Sequence, residues 1–388
     1  MKVTVTDNYL NVRSGKPSLA APSYQYLAPG SELEVDGLFY TGDAFSGINT
    51  WMKDAAGNYY WSGGLRQPGG SPAQLIPTDA AAVAAFQSKA NYPAAAVNWN
   101  SSLPARLQNT AANQGAGVRV GILDSGLDLT HLDLARSVTY SRDFTGGGTG
   151  PADIQGHGTA MAGLISGSAF PPGSGVTGIA PAALLYCAKV LYDGLDPETY
   201  QAQLDGLQAL LALGVDIISM SIGGALPDQP VAAAQANIAA IRQLFQQTSN
   251  VVFLAATEED ALSPDVATLM ASFPASCSNV LPVCMLSQAK AQQFLAGLPA
   301  PVVIVPDFQP ESTAVREMGY YAVTGGSSPA CAMVAAVTTL ALAAGQLSDR
   351  SAAGVARVLA TFGAPTLDTI YTAAGQFDFF VKTETLNT

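Results

Sequence analysis

Positive charge is what this sequence has least of. Lys and Arg number 17 against 29 Asp and Glu, and the formal net charge is -12. Attraction to a nucleic-acid backbone or an anionic lipid surface needs clustered Lys and Arg, so neither partner is expected. Charge of either sign is sparse, at 12% of residues, while 48% are hydrophobic. That balance excludes a disordered chain and leaves ample apolar surface for a compact core. Yet no stretch reaches the roughly 18 consecutive apolar residues of a membrane span. The first residues, Met1 to Asn8, alternate polar and apolar side chains and lack the apolar core of a secretory signal. A cytoplasmic location is expected, with secretion by a non-standard route as the alternative.

Histidine is scarcer still. The chain holds only His131 and His157, so an imidazole acting as general base is one of these two. Cys187, Cys277, Cys284 and Cys331 show no metal-ligand spacing, and three of them lie in apolar runs. Buried free thiols are expected, with a Cys277–Cys284 disulfide as the alternative.

The length of 388 residues exceeds what one hydrophobic core usually organises. Residues 1–67 read as short β-segments between turn residues: Lys2 to Thr6, Tyr9 to Arg13, Glu32 to Val35, Thr50 to Lys53 and Asn58 to Trp61. Alternation with Gly and Pro punctuation predicts a small all-β barrel. Asn11-Val12-Arg13-Ser14-Gly15, then Leu27-Ala28-Pro29-Gly30-Ser31, Trp51 and Tyr59-Tyr60-Trp61, resemble a bacterial SH3-like domain. Residues 68–107, rich in Pro, Gly, Ser and Ala, read as a linker carrying one helix, Thr78 to Lys89, with Asp79 near its start.

Across residues 108–388, apolar strand-like runs (Val118 to Leu123, Leu184 to Val190, Asp216 to Met220, Val251 to Ala256, Val280 to Cys284) alternate with helical ones (Thr159 to Ile165, Thr199 to Leu213, Val231 to Gln247). Strands apolar on both faces require cover on both sides, so a doubly wound, mostly parallel α/β sheet is expected.

Three strings carry chemistry. Val118 to Gly126 is an apolar strand ending in Asp124 and a glycine turn, and reactive groups of α/β sheets collect at such carboxyl ends. Taken alone, Asp124 equally reads as a turn cap. Gly156-His157-Gly158 stands before an apolar helix-like run, where glycines let backbone and substrate approach the imidazole. Thr324 to Pro329 opens a strongly apolar stretch, Ala330 to Ala344, with Ser328 as expected N-cap and Pro329 as first helical residue. That placement sets the Ser328 hydroxyl and N–H at the positive end of a helix, where an oxyanion is stabilised.

Together, and in the chain order aspartate, histidine, serine, these strings resemble the subtilisin (subtilase) family of serine peptidases. Thr130-His131-Leu132-Asp133-Leu134 looks like the family's post-aspartate segment, and Gly178-Ile179-Ala180-Pro181 like the turn after the histidine helix. Ser219-Met220-Ser221-Ile222-Gly223-Gly224 is similar to its substrate-binding strand. The resemblance implies a catalytic triad of Asp124, His157 and Ser328 acting on a protein or peptide substrate through an acyl-enzyme.

It also marks departures. The family's oxyanion asparagine ends an Ala-Gly-Asn string; here Thr257 stands in its place, followed by Glu258, Glu259 and Asp260. Thr257 and the Ser328 N–H are the candidate oxyanion donors. A catalytically weak, peptide-binding protein is the alternative function, and the SH3-like unit is a candidate site for a regulatory partner. The resemblance implies no catalytic cofactor and no catalytic metal; structural calcium fits the family, but no loop shows a calcium-ligand spacing.

Overall fold

The computed structural model describes residues 2–5, 10–23, 25–28, 30–36, 40–45, 48–66, 80–145, 152–171, 173–191, 199–226, 232–258, 262–371 and 377–383. An eight-stranded sheet organises the larger unit. In spatial order it runs Val138–Asp143, Leu184–Lys189, Arg119–Asp124, Ile217–Met220, Val252–Ala256, Leu281–Leu286, Val302–Pro306 and Phe380–Lys382. The first seven strands are parallel and the last pairs antiparallel. Val252–Ala256, Leu281–Leu286 and Val302–Pro306 are buried at every residue, as strands covered on both faces must be.

Helices His157–Ser166, Ser327–Ala343 and Ala352–Phe362 build one core layer with Ile122, Leu254 and Val303. Helices Thr199–Ala212 and Ala232–Gln247 cover the other face with Leu123, Ile218 and Phe253. The strand ending in Asp124 is central: the next two strands in sequence lie to one side of it and all later ones to the other. Loops leaving in both directions open a crevice at its carboxyl end.

The amino-terminal unit holds two antiparallel sheets. Lys2–Val5 lies between Glu32–Glu34 and Leu65–Arg66 in one; Gln25–Leu27, Leu10–Ser14, Asn58–Trp61, Ile48–Lys53 and Tyr40–Phe45 form the other. The alternation read from the sequence places Val3, Val5, Leu10, Val12, Met52 and Tyr60 in a shared core, against which Leu129 of the larger unit packs.

Between the units, Ala80–Lys89 is helical, while Thr78 and Asp79 lie outside the described residues. Phe86 of this helix packs against Tyr320 and His131. Beyond it the chain is fastened along the larger unit. The Asn91 N–H donates to the Gly319 carbonyl at 2.7 Å, Val97–Asn98 pairs with Val176–Thr177, and Trp99 Nε1 donates to the Glu311 carbonyl at 3.1 Å. All four cysteines are free and buried, so the Cys277–Cys284 disulfide is not formed.

Candidate active site

Asp124 is the last residue of the central strand and is wholly buried. One carboxylate oxygen, Oδ1, accepts from the Ser125 N–H at 2.7 Å and from His157 Nδ1 at 2.7 Å. The other oxygen is buried with no hydrogen-bond partner among the described residues. A carboxylate only accepts, so Nδ1 carries the imidazole proton and Nε2 is left as the acceptor.

His157 opens its helix, and the two flanking glycines act differently. Gly156, the N-cap, has φ of 85°, in the left-handed region that glycine adopts without penalty. Gly158 lies so close to the Asp124 loop that a Cβ there would stand 2.2 Å from the Gly126 carbonyl oxygen. The turn is held from outside by Asp153. Its Oδ1 accepts from Ser125 Oγ at 2.8 Å, Gln155 N at 3.0 Å and Gly156 N at 2.8 Å, and its Oδ2 from Thr159 N at 2.9 Å and Thr159 Oγ1 at 2.6 Å. Ser125 Oγ in turn accepts from the Gly158 N–H at 2.9 Å. The residue beside Asp124 is thereby stitched to the helix that carries His157.

His131, the other histidine, is built for the core. It is fully buried, its Nε2 donates to the Tyr320 carbonyl at 2.7 Å, and its Nδ1 accepts from the Asp133 N–H at 3.2 Å. Burial holds its pKa down at about 3, so the ring stays neutral.

Ser328 lies in the helix Ser327–Ala343, but the N-cap lies two residues before the expected one. The N-cap is Gly326, with φ of 92°, so Ser327 is the first helical residue, Ser328 the second and Pro329 the third. Glycine alone makes that entry without strain, and proline is tolerated throughout a first turn whose N–H groups have no intrahelical acceptor. The Ser328 N–H remains one of those helix-opening donors. Two reciprocal hydrogen bonds seat the residue: Ser328 Oγ donates to the Ser221 carbonyl at 3.2 Å, and Ser221 Oγ donates to the Ser328 carbonyl at 2.8 Å. Since Ile122 pairs with Ser219, Asp124 and Ser221 are level at the sheet's carboxyl end.

The segment Ser219 to Gly224 therefore divides. Ser219 and Met220 finish a buried sheet strand, with Ser219 Oγ 3.8 Å from Cys331 Sγ. Ser221 and Ile222 are also buried, and only Gly223 and Gly224 reach towards the surface, where Gly224–Ala225 pairs antiparallel with Ser272–Phe273.

Thr257 is buried beside the same helix start. Its hydroxyl donates to the Glu258 carbonyl at 3.3 Å and stands 3.5 Å from Ser327 Oγ. Glu258 is half-buried; Glu259 and Asp260 lie outside the described residues. Among the described residues no three His, Cys, Asp or Glu side chains are grouped to hold a metal ion, and no helix is long and apolar enough to cross a membrane. Asp133, in the segment after Asp124, has its oxygens taken by Phe170 N, Val176 N and Tyr321 Oη, which leaves donors rather than lone pairs facing it. These residues do not fit a calcium site.

Sequence reading did not single out Asp153, Ser125 or Lys189. Asp153 sits four residues before His157, outside the usual N-cap position, and nothing local says that its carboxylate reaches the helix start and the Asp124 loop together.

Residues 115–361 match the model of the subtilase family. The chain is similar to subtilisin DY of Bacillus licheniformis, with 31% identity over 230 residues that cover 59% of this chain and 78% of that protein. It is similar also to the major intracellular serine protease of Bacillus subtilis strain 168, with 32% identity over 181 residues covering 46% of this chain and 53% of that protein. Among solved structures, the S41 psychrophilic protease aligns at a TM-score of 0.47 and 22% identity, over 62% of this chain and 81% of that one.

Proposed function

This chain belongs to the subtilase family, and from that premise we propose that it is a serine endopeptidase with Asp124, His157 and Ser328 as its triad. The observation that carries the proposal is the 2.7 Å bond from His157 Nδ1 to a fully buried Asp124, which fixes the tautomer a general base needs. In the reaction, the Ser328 hydroxyl turns from the Ser221 carbonyl to His157 Nε2, gives up its proton there and attacks the scissile carbonyl. Asp124 steadies the imidazolium that forms. His157 then protonates the leaving amine, and water resolves the acyl-enzyme by the reverse proton path.

The developing oxyanion is met by the Ser328 N–H at the helix start and by the Thr257 hydroxyl, once this rotates away from the Glu258 carbonyl. The substrate lies extended along the backbone of Ser221 to Gly224, with open space at Gly224 for its side chains. A regulatory partner would act through the amino-terminal β unit, for which an SH3-like role is part of this proposal.

A second reading, a catalytically weak protein that holds peptides in the same crevice, is favoured by one feature: both the Ser328 and Thr257 hydroxyls donate to backbone carbonyls of the chain itself. Fluorophosphonate labelling decides between the two. Labelling that is lost in Ser328→Ala supports the peptidase. A folded protein that binds peptides and never labels establishes the second reading.

A further inference from the structure

Lys189 is a buried lysine that the triad does not use. It is 3% exposed and ends the strand Leu184–Lys189, directly opposite Asp124 on one neighbouring strand and Asp143 on the other. Residues in such register share a face of the sheet, so Lys189 stands on the face covered by the His157 and Ser328 helices. Its Nζ donates to the Ala152 carbonyl at 2.7 Å, at the start of the turn in which Asp153 caps the His157 helix. Asp124 and Asp153 are both buried, and both carboxylates and Lys189 act on the Cys187 thiol. The Cys187 thiol between them is pushed up by burial first, and then by Asp124 and Asp153, with Lys189 opposing.

Two carboxylates buried in one region each favour protonation of the other, and a nearby cation opposes that tendency. Asp124 serves as orienter only while ionised. We propose that Lys189 is a positioning residue for the proposed reaction: a buried cation behind His157 that offsets the buried negative charge of Asp124 and pins the Asp153 turn through Ala152. The inference rests on the peptidase reading for its consequence in rate, but the charge role stands or falls separately. From the outer strand Asp143 stands opposite Lys189, and its Oδ1 is engaged by Thr145 N and Oγ1 at 2.8 and 2.6 Å.

Removing the cation raises the proton affinity of His157, so activity falls away at a higher pH. The expected upward shift of the acid limb in Lys189→Met is about one unit, which makes labelling by a fluorophosphonate about tenfold slower on that limb. Lys189→Arg keeps the charge and restores the limb of the parent chain. A packing role alone would impair Met and Arg variants alike, or lower the rate without moving the limb, and either result overturns the proposal. Should Lys189→Met not fold, Lys189→Gln carries the same expectation. An NMR titration of the His157 ring in Ser328→Ala, with and without Lys189→Met, reads the charge role without turnover. An upward shift supports it, and an unmoved His157 overturns it. A parent chain that never labels overturns the peptidase reading, and the NMR titration still decides the charge role of Lys189.

Discussion

At the scale of single residues, the two histidines show how environment assigns roles that composition leaves equal. His157 is about one-third exposed and meets a carboxylate; His131 is sealed among Phe86, Tyr320 and Tyr321. The unfolded chain binds a proton at His131 below its ordinary pKa of 6.5, whereas the folded chain does so only near 3. Stability from this group is complete above pH 6.5 and is lost as pH falls towards 3. Asp133 works the other way, since burial raises its pKa to about 6 and its contribution is lost as pH rises. In His131→Asn, the urea midpoint is expected to fall less steeply from neutral to acid pH than in the parent chain; equal slopes would show that His131 does not drive the acid loss. Thr257→Val tests the proposed oxyanion donor. Acylation slower by roughly tenfold or more, with KM unchanged, is expected of a lost oxyanion donor. An unchanged rate assigns that hydroxyl to the Glu258 carbonyl alone.

At the scale of elements, strand and helix identities were largely legible in the sequence, because the sheet is apolar on both faces and the His157 and Ser328 helices are apolar nearly all round. The beginning of the Ser328 helix was not. Serine and proline are both good openers, and the preceding Gly326 wins the N-cap because only glycine takes its backbone angles. Gly163 makes a related point within the His157 helix. Glycine inside a helix normally costs about 1 kcal/mol against alanine. Here a Cβ would stand 2.2 Å from Thr313 Oγ1 and 2.7 Å from Ser312 Oγ, and both hydroxyls are fixed by donating to helix carbonyls, Thr159 and Ala160. Gly163→Ala is therefore expected to destabilise by roughly 1–3 kcal/mol, measured by urea denaturation, and to do so against helix propensity. A stabilised variant would show that Ser312 and Thr313 give way easily.

At the scale of the molecule, among the described residues Leu129 joins the larger unit to the core of the amino-terminal one. Leu129 packs against both the main core and the core of the β unit. Its neighbour Asp128 accepts from the Arg316 N–H at 3.0 Å and donates its own N–H to Thr159 Oγ1 at 2.9 Å, next to the Asp153 cap. A fragment beginning near Ser71 leaves Leu129 without its cover. Faster amide hydrogen exchange across residues 125–131 is expected in that fragment, with the sheet strands unchanged. Exchange equal to that of the whole chain would make the β unit a passenger. Peptidase rates of the same pair test regulation: equal rates dismiss an inhibitory β unit.

The sequence by itself determined the fold class, the order aspartate, histidine, serine, and the glycines around the imidazole, because periodicity and backbone freedom are local properties. Tertiary structure alone decided that Asp153 serves both the His157 helix and Ser125, that Lys189 stands opposite Asp124, and that Ser328 is seated by Ser221. Asp153 and Ser125 are 28 residues apart in the chain and Ser328 and Ser221 are 107 apart, and they meet only at the carboxyl end of the sheet. The register of its strands is fixed by packing on both sheet faces, which no single segment encodes.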